Sequence, residues 1–380
     1  MEEDNAMNME KMNLNQYMQL IIVVMIGGTI LANIGSTVGS DVWLLYTIAF
    51  VGGTLIYKVY TRILKLNDYK PFPQIFENCF GPLGRKVLTA VYAGFFMFRM
   101  NMNGDSLTGM ASEILMRGAP RRLTVFVLLV GGIYACHKGL ASMGRSVEII
   151  FPIVFLALLP FFVTAFTSNA FSHRNLTPFL MEGIGELAKR TAAVTLFPYS
   201  ETLVFCMMMP SIDYRERDAL FKRGVMALLI VTLILIAISM ANLAILGRHL
   251  IDSLKYPFYN AMMVAGIKGV LERLDPLAVI IIILCSFFKF AIYLYMSADF
   301  IASLSSRYKR SVVLVIIGVV VFIFVPQTRN LFTDKILTDI LPFKLMPFFH
   351  LVLPGLLWGV SEYKFHKKER ALKEKVSHQI

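Results

Sequence analysis

Ten long apolar runs constrain the fold of this chain more than any other feature. A helix needs about 20 predominantly apolar residues to cross the hydrocarbon core of a bilayer. Runs of this kind recur along the whole sequence, and 57% hydrophobic against 16% charged residues is too apolar a balance for a soluble globule. The sequence therefore predicts an all-α polytopic membrane protein with spans at 14–36, 43–64, 87–113, 123–138, 147–168, 187–209, 224–247, 276–298, 311–326 and 341–363.

The distribution of cations predicts the orientation of these spans. The net charge of +12 does not come from one basic domain, because the Lys and Arg residues lie between the apolar runs and in the tail. Nucleic-acid binding is therefore not expected. An even number of spans places both termini on one side, and that side carries 22 Lys and Arg against 13 on the other. By the positive-inside rule we expect both termini in the cytoplasm.

The ten spans are expected to form one domain built from two repeats. A cytoplasmic tail (1–13) precedes the transmembrane domain (14–363), and a basic cytoplasmic tail (364–380) suited to the anionic lipid surface follows it. Two sets of five spans give a first repeat at about 14–168 and a second at about 187–363. Spans 1 and 6 then take equivalent places, and paired interruptions at such places indicate an inverted-repeat transporter fold with a midplane site.

Span 6 carries the strongest of these interruptions, in the stretch Leu-Phe-Pro-Tyr-Ser-Glu (196–201). Pro198 removes a backbone donor and clashes with the preceding turn, so we expect the helix to break there. Glu201 at membrane depth costs about 2.5 kcal/mol or more on insertion scales, which predicts that it faces a cavity or a partner. The structural alternative is a proline kink with a glutamate hydrogen-bonded between helices.

Span 1 contains a second candidate interruption at Gly27, Gly28 and Thr29. Each glycine weakens a helix by about 1 kcal/mol relative to alanine and allows close approach of a ligand or another backbone. We therefore expect a break in the middle of this span. A small-residue face for helix packing is the alternative.

Three further charged residues, Arg99, Asp105 and Lys289, lie toward the middle of predicted spans. Arg99 shares one face of span 3 with Asn103, whereas Asp105 lies nearly opposite, and both a structural role and ligand contact remain open for this span. Lys289 lies near the middle of span 8 and could be a coupling group or the partner of Glu201 or Asp105. The polar stripe of span 8 consists of Ser286, Lys289, Tyr293 and Ser297.

These residues define a predicted binding site rather than a catalytic one. The four cysteines are scattered, and no nucleophile–base set, metal spacing or phosphate loop occurs, so we expect no enzyme activity, no metal and no cofactor. Half-helix N–H groups at the two breaks would attract a carboxylate, while carbonyls and Glu201 would attract an ammonium. The predicted ligand-binding residues are Gly27, Gly28, Thr29, Phe197, Pro198, Tyr199, Ser200 and Glu201, with Lys289, Arg99 and Asp105 as ion-pair or coupling residues.

The order of several short motifs resembles that of the spore germination receptor B-subunit family. The motifs are Gly-Ile-Tyr (132–134), Asn-Leu-Thr-Pro (175–178), Phe-Pro-Tyr-Ser-Glu (197–201), Tyr-Pro (256–257) and Glu-Arg-Leu-Asp (272–275). The family is similar to the amino acid–polyamine–organocation transporters. The resemblance implies ten helices in a five-plus-five inverted repeat with interrupted helices 1 and 6.

The resemblance also implies a function. The chain would lie in the inner membrane of a spore, assemble with A-type and lipoprotein C-type subunits, and bind a small nutrient, commonly an amino acid. The alternative is a proton- or sodium-coupled amino acid permease. Two positions depart from the pattern: Ser200 stands where the family usually has glycine, and span 5 lacks the lysine that some of these transporters use in place of a sodium ion.

Overall fold

The computed structural model consists mainly of helices joined by turns and short loops in the residues it describes, which are 11–32, 36–116, 118, 120–168, 170–178, 183–266, 273–305, 307–328 and 344–377. Parts of the predicted tails (1–10 and 378–380), of span 1 (33–35) and of span 10 (341–343), and Glu272 of the fifth motif, lie outside these residues. The helices are α1 (Leu14–Ala32), α2 (Val42–Leu66), α3 (Phe72–Met110), α4 (Arg121–Lys138), α5 (Leu140–Thr167), α6 (Gly183–Leu196), α7 (Thr202–Met207), α8 (Leu220–Leu246), α9 (Arg248–Ser253), α10 (Pro257–Val264), α11 (Asp275–Ser303), α12 (Arg310–Thr328) and α13 (Leu353–Ser377).

As far as their residues are described, all ten predicted spans fall on helices, with α6 and α7 together forming the sixth span. Within the described ranges, five helical segments are long and apolar enough to cross a membrane by length and composition alone. The chain is therefore an integral multi-pass membrane protein. The five segments are Leu14–Leu31, Val38–Leu66, Leu140–Thr167, Tyr214–Leu246 and Asp275–Ser303.

Two helices form the centre of the bundle. α11 packs against α1, α3, α4, α5 and α12, and α1 also packs against α8. Both are apolar around most of their circumference, as expected of helices enclosed by others rather than facing lipid on one side. Most side chains of α1 and α11 are buried, and this central pair carries the glycines and the lysine that the sequence singled out.

The predicted break in span 6 is confirmed. α6 ends at Leu196, a single 3₁₀ turn covers Tyr199–Glu201, and α7 begins at Thr202. Pro198 lies between the two helices, and its carbonyl accepts the Glu201 N–H at 3.1 Å. The break is short because this tight turn restores hydrogen bonding almost at once.

Span 1 differs from the prediction. α1 runs without interruption through Gly27 and Gly28 to Ala32. The glycines serve close packing instead: a side-chain carbon at Gly27 would lie 2.6 Å from the carbonyl carbon of Cys285 and 2.7 Å from the nitrogen of Ser286. The small-residue packing alternative therefore describes this pair, because α11 leaves room for hydrogen atoms only.

Loop segments that the sequence predicts to be cytoplasmic meet at one end of the molecule. The Met12 N–H donates to the Ser211 carbonyl at 2.9 Å, and Lys364 Nζ donates to the Cys79 carbonyl at 3.3 Å. α3 is divided near this end by Gly81, whose φ of 76° separates a short helical piece from the long span. This piece lies between the predicted spans 2 and 3.

Predicted outer segments meet at the opposite end. The Ser172 N–H donates to the Ala244 carbonyl at 3.0 Å, and Lys255 pairs with Glu113. The two sets of loops are thus separated as a ten-span topology requires. Which end faces the cytoplasm stays a prediction.

Candidate functional site

Glu201 lies at the centre of a buried charged cluster formed by three helical elements. Its Oε1 accepts hydrogen bonds from Arg99 and from the Tyr293 hydroxyl, the latter at 2.9 Å. Its Oε2 accepts from Lys289 Nζ at 2.6 Å. No side chain in this cluster is more than 4% exposed, so the acid is surrounded by donors from its own chain.

The local sequence explains how these groups meet. The turn after Pro198 points Glu201 into the bundle just before α7 begins. Lys289 and Tyr293 are four residues apart on α11 and therefore project from the same face. Arg99 enters from α3. The break in span 6 and the polar stripe of span 8 are thus two halves of one cluster.

The cluster carries an unbalanced charge. Two cations, Arg99 and Lys289, are paired with one carboxylate, Glu201, which leaves a net charge of +1 among these three side chains. Burying a charge costs several kcal/mol unless it is paired and hydrogen-bonded. The arrangement therefore favours the binding of one further negative group close to the two cations.

Phe197 and Gly28 shape the surroundings of the cations. The Phe197 ring centroid lies 4.3 Å from Lys289 Nζ and 5.0 Å from the Arg99 guanidinium carbon, within cation–π range. Gly28 makes room for the lysine, because a side-chain carbon there would lie 2.8 Å from Lys289 Cδ. Both residues belong to the predicted site.

A cavity of about 60 Å³ opens beside the two cations. This volume is several times the roughly 10–15 Å³ that one water molecule needs. Two of its lining residues, Arg99 and Asn103, each carry a buried polar atom without a hydrogen-bond partner among the described residues, Nε and Oδ1 respectively. The lining thus retains an unused donor and an unused acceptor. The lining consists of Gly28, Leu31, Arg99, Met102, Asn103, Ser106, Phe197 and Lys289.

Three predicted site residues lie elsewhere. Thr29 lines a separate cavity of about 20 Å³ that faces α8. The Tyr199 hydroxyl is 2.7 Å from the Thr232 hydroxyl, also on α8. Asp105 pairs with Arg121 at the start of α4 and not with Lys289. Their spacing in sequence gave no information on which neighbouring helix each side chain would face.

The other predicted residues hold the helices around the site in place and do not line the cavity. Gly27 contacts the α11 backbone, as described above, and Pro198 forms the break. The Ser200 hydroxyl donates to the Leu196 carbonyl at 2.5 Å and so closes the end of α6. The serine that replaces the family's usual glycine is therefore accommodated by the backbone and does not line the cavity.

The role predicted for Glu201 needs correction. An acid that binds the ammonium of a ligand must be accessible to it, but the Glu201 carboxylate is buried and surrounded by Arg99, Tyr293 and Lys289, which donate three hydrogen bonds to it. Glu201 also does not line the cavity. Its position makes it the counter-ion that holds two cations beside the cavity.

Sequence reasoning did not place Asn103 among the site residues. The available signal is that Asn103 lies on the same face of span 3 as Arg99, one helical turn away. The orphan carbonyl oxygen that makes Asn103 relevant depends on the neighbouring helices. Within the described part of the chain, no group of three or more His, Cys, Asp or Glu side chains is placed to hold a metal ion.

A helical membrane bundle with a broken sixth span and a buried cluster at the break has the architecture of a secondary transporter. The structure of a Na⁺-coupled sialic acid symporter, in a substrate-bound outward-open state, matches it with a TM-score of 0.61 and 12% sequence identity. That match covers 91% of this chain and 77% of the symporter. The likeness shows that this chain shares its fold with that symporter.

The family is established by sequence. Residues 11–332 match the family described as spore germination protein. Spore germination protein KB of Bacillus subtilis (strain 168) is 22% identical over 96% of this chain and 98% of its own length, and spore germination protein A2 of the same organism is 23% identical over 75% and 76%. This chain belongs to the spore germination protein family.

Proposed function

We propose that this chain binds a small zwitterionic nutrient, an amino acid, in the cavity beside Arg99 without chemically changing it. The observation that supports this most directly is that two residues lining that cavity, Arg99 and Asn103, each retain a buried polar atom without a partner, Nε and Oδ1. A ligand carboxylate would accept from the guanidinium and neutralise the excess charge of the cluster. The ligand ammonium would donate to the Asn103 amide oxygen, one helical turn along α3.

The bound nutrient acts as a signal in this proposal. The affinity of a ligand for two conformations must differ if it is to shift the balance between them. Glu201 belongs to the short turn between α6 and α7, so a new anion beside Arg99 and Lys289 competes with Glu201 for the same cations. A shift of that turn would change the conformation of the surface that contacts A-type and C-type partner subunits. Nutrient binding would therefore alter the interface with these subunits.

The binding step can be tested on the purified chain in lipid nanodiscs with each of the twenty protein amino acids. A ligand present at a hundred times its Kd stabilises the folded state by about 2.7 kcal/mol and raises the melting temperature. At least one amino acid is expected to do so. The amine that corresponds to this amino acid without its carboxylate should not raise the melting temperature, because it lacks the anion that the cluster requires. A screen in which no amino acid shifts melting would overturn the proposal.

A second candidate function is a proton- or sodium-coupled amino acid permease. The fold favours it, since the matched structure is that of a Na⁺-coupled symporter. Proteoliposomes that contain only this chain separate the two functions. A receptor subunit binds the labelled amino acid without accumulating it, whereas a permease accumulates it in response to a proton or sodium gradient.

A subunit exchange tests the receptor role in spores. If this chain replaces the equivalent subunit of a related receptor, the proposal predicts that nutrient preference follows the exchanged subunit. Preference that stays with the other subunits would assign recognition to them.

A further inference from the structure

A second, larger groove shares no lining residue with the cavity at the charged cluster and lies where the C-terminal end of α2 meets the segment 217–221 and α13. Its volume is about 610 Å³. Part of its wall is apolar and part is charged. The apolar residues are Leu55, Val59, Leu220, Phe221 and Trp358, and the charged ones are Lys58, Arg62, Lys65, Arg217, Asp218 and Glu362. We call this feature the basic groove.

The wall formed by α2 changes from apolar to cationic toward the helix end. Leu55, Lys58, Arg62 and Lys65 follow each other at spacings of three or four residues and therefore share one helix face. Leu55 is 61% exposed, so this face is not covered by another described helix. Such a gradient suits the depth at which hydrocarbon chains give way to lipid headgroups.

Two cations of the α2 wall are lysines without an ionic partner among the described residues. Glu362 is occupied by Arg62, with N–O distances of 2.7 and 3.1 Å, and also accepts from Trp358 Nε1 at 3.2 Å. Lys58 and Lys65 form no ion pair with any described residue. The four cations that line the groove exceed its two acids, which leaves a net charge of +2.

We propose that the basic groove binds an anionic phospholipid of the surrounding leaflet. Its phosphate lies between Lys58 and Lys65, and an acyl chain lies along Leu55 and Phe221. Basic pockets between membrane helices are typical sites for anionic headgroups. Free phosphate would engage the lysines alone and leave the apolar wall uncovered, so the lipid complements the groove better. The proposal does not depend on the nutrient site.

Trp358 supplies a direct readout, because its indole lines the groove and the chain contains only two tryptophans. In a Trp43→Phe background its fluorescence reports on this groove alone. Vesicles of phosphatidylcholine would carry a small fraction of either brominated phosphatidylglycerol or brominated phosphatidylcholine. Since each lysine adds about fivefold to the affinity for an anionic lipid surface, we expect roughly a thirtyfold preference for the phosphatidylglycerol quencher.

Matched variants assign that preference to the groove. Lys58→Gln with Lys65→Gln should abolish it while quenching by brominated phosphatidylcholine stays unchanged, which shows that the protein remains folded. Lys58→Arg with Lys65→Arg should retain it. The control pair Lys367→Gln and Lys368→Gln removes the same charge from the exposed tail and should also retain it.

Three results would overturn the proposal. Equal quenching by the two brominated lipids in the parent would show that the groove does not select anionic headgroups. An equal loss in the tail pair would assign the preference to general basic attraction. Relief of phosphatidylglycerol quenching by millimolar inorganic phosphate would show that the site takes free phosphate instead of lipid.

Discussion

At the scale of single residues, Glu201 determines the chemistry of the site. One carboxylate holds a guanidinium and an ammonium that would otherwise repel each other in the membrane interior. Removing one partner of a buried ion pair costs about 3–5 kcal/mol, because the remaining charge is left uncompensated. Glu201 is therefore required for the positions of Arg99 and Lys289 before any ligand arrives.

Glu201→Gln should lower the unfolding free energy by about 3–5 kcal/mol, since it leaves two buried cations beside a neutral amide. The double variant Glu201→Gln with Lys289→Gln restores the net charge of +1 and should recover at least about 1 kcal/mol of that loss, within the usual range for directly coupled residues. Thermal unfolding of the purified variants measures both effects. If the loss of unfolding free energy in the double variant equals the sum of the losses in the two single variants, the result would contradict the ion pair.

At the scale of helices, α1 and α11 approach closely because of two adjacent glycines with different neighbours. Gly27 lies against the backbone of Cys285 and Ser286, which cannot move without moving α11. Gly28 lies against the flexible side chain of Lys289. The first glycine is needed for packing and the second for the site.

Alanine substitutions should separate these roles. Gly27→Ala is expected to destabilise the protein by about 1–3 kcal/mol through overpacking. Gly28→Ala should leave the melting temperature closer to the parent but weaken amino acid binding, since it displaces the Lys289 ammonium beside the cavity. Melting curves and ligand titrations measure the two effects. A Gly27→Ala protein as stable as the parent would show that the helices are not in contact there.

Element by element, the sequence predicted the fold better than it predicted the site. Apolar run lengths located the helices, and Pro198 located the break, because both signals are local. The site depends on contacts between helices. No local sequence signal indicates that Asp105 forms an ion pair with Arg121. Nor does one indicate that Gly27 and Gly28 allow α11 to pack closely without breaking α1.

For the whole molecule, the separation of loops into two ends makes the predicted orientation testable. Arg215 and Lys255 are exposed and lie in the loop sets at opposite ends. All four native cysteines are buried, so background labelling should be low. The cation asymmetry predicts that the end containing Arg215 is cytoplasmic.

Single-cysteine probes at these positions test that orientation. A membrane-impermeant thiol reagent added from outside should label Lys255→Cys in intact cells and Arg215→Cys only after permeabilisation. The reverse pattern would invert the topology and place the basic groove in the outer leaflet.

The central claim is that the nutrient occupies the cavity beside Arg99 and Asn103, and two asparagines on α3 test it. Asn103→Ala removes the unpartnered acceptor of a residue that lines the cavity. Asn101→Ala removes a neighbouring amide that lies outside the cavity lining; its Oδ1 is also unpartnered, and its Nδ2 donates to the Met97 carbonyl at 2.9 Å. The measurement is the germinant concentration for half-maximal response of spores with quantified amounts of each variant.

Loss of a hydrogen bond to a charged group costs about 1.5–3 kcal/mol, and about 1.4 kcal/mol corresponds to tenfold in affinity. The account therefore predicts at least a tenfold higher half-maximal concentration for Asn103→Ala and an unchanged value for Asn101→Ala. An unchanged value for Asn103→Ala at normal protein levels would contradict it and place the nutrient elsewhere.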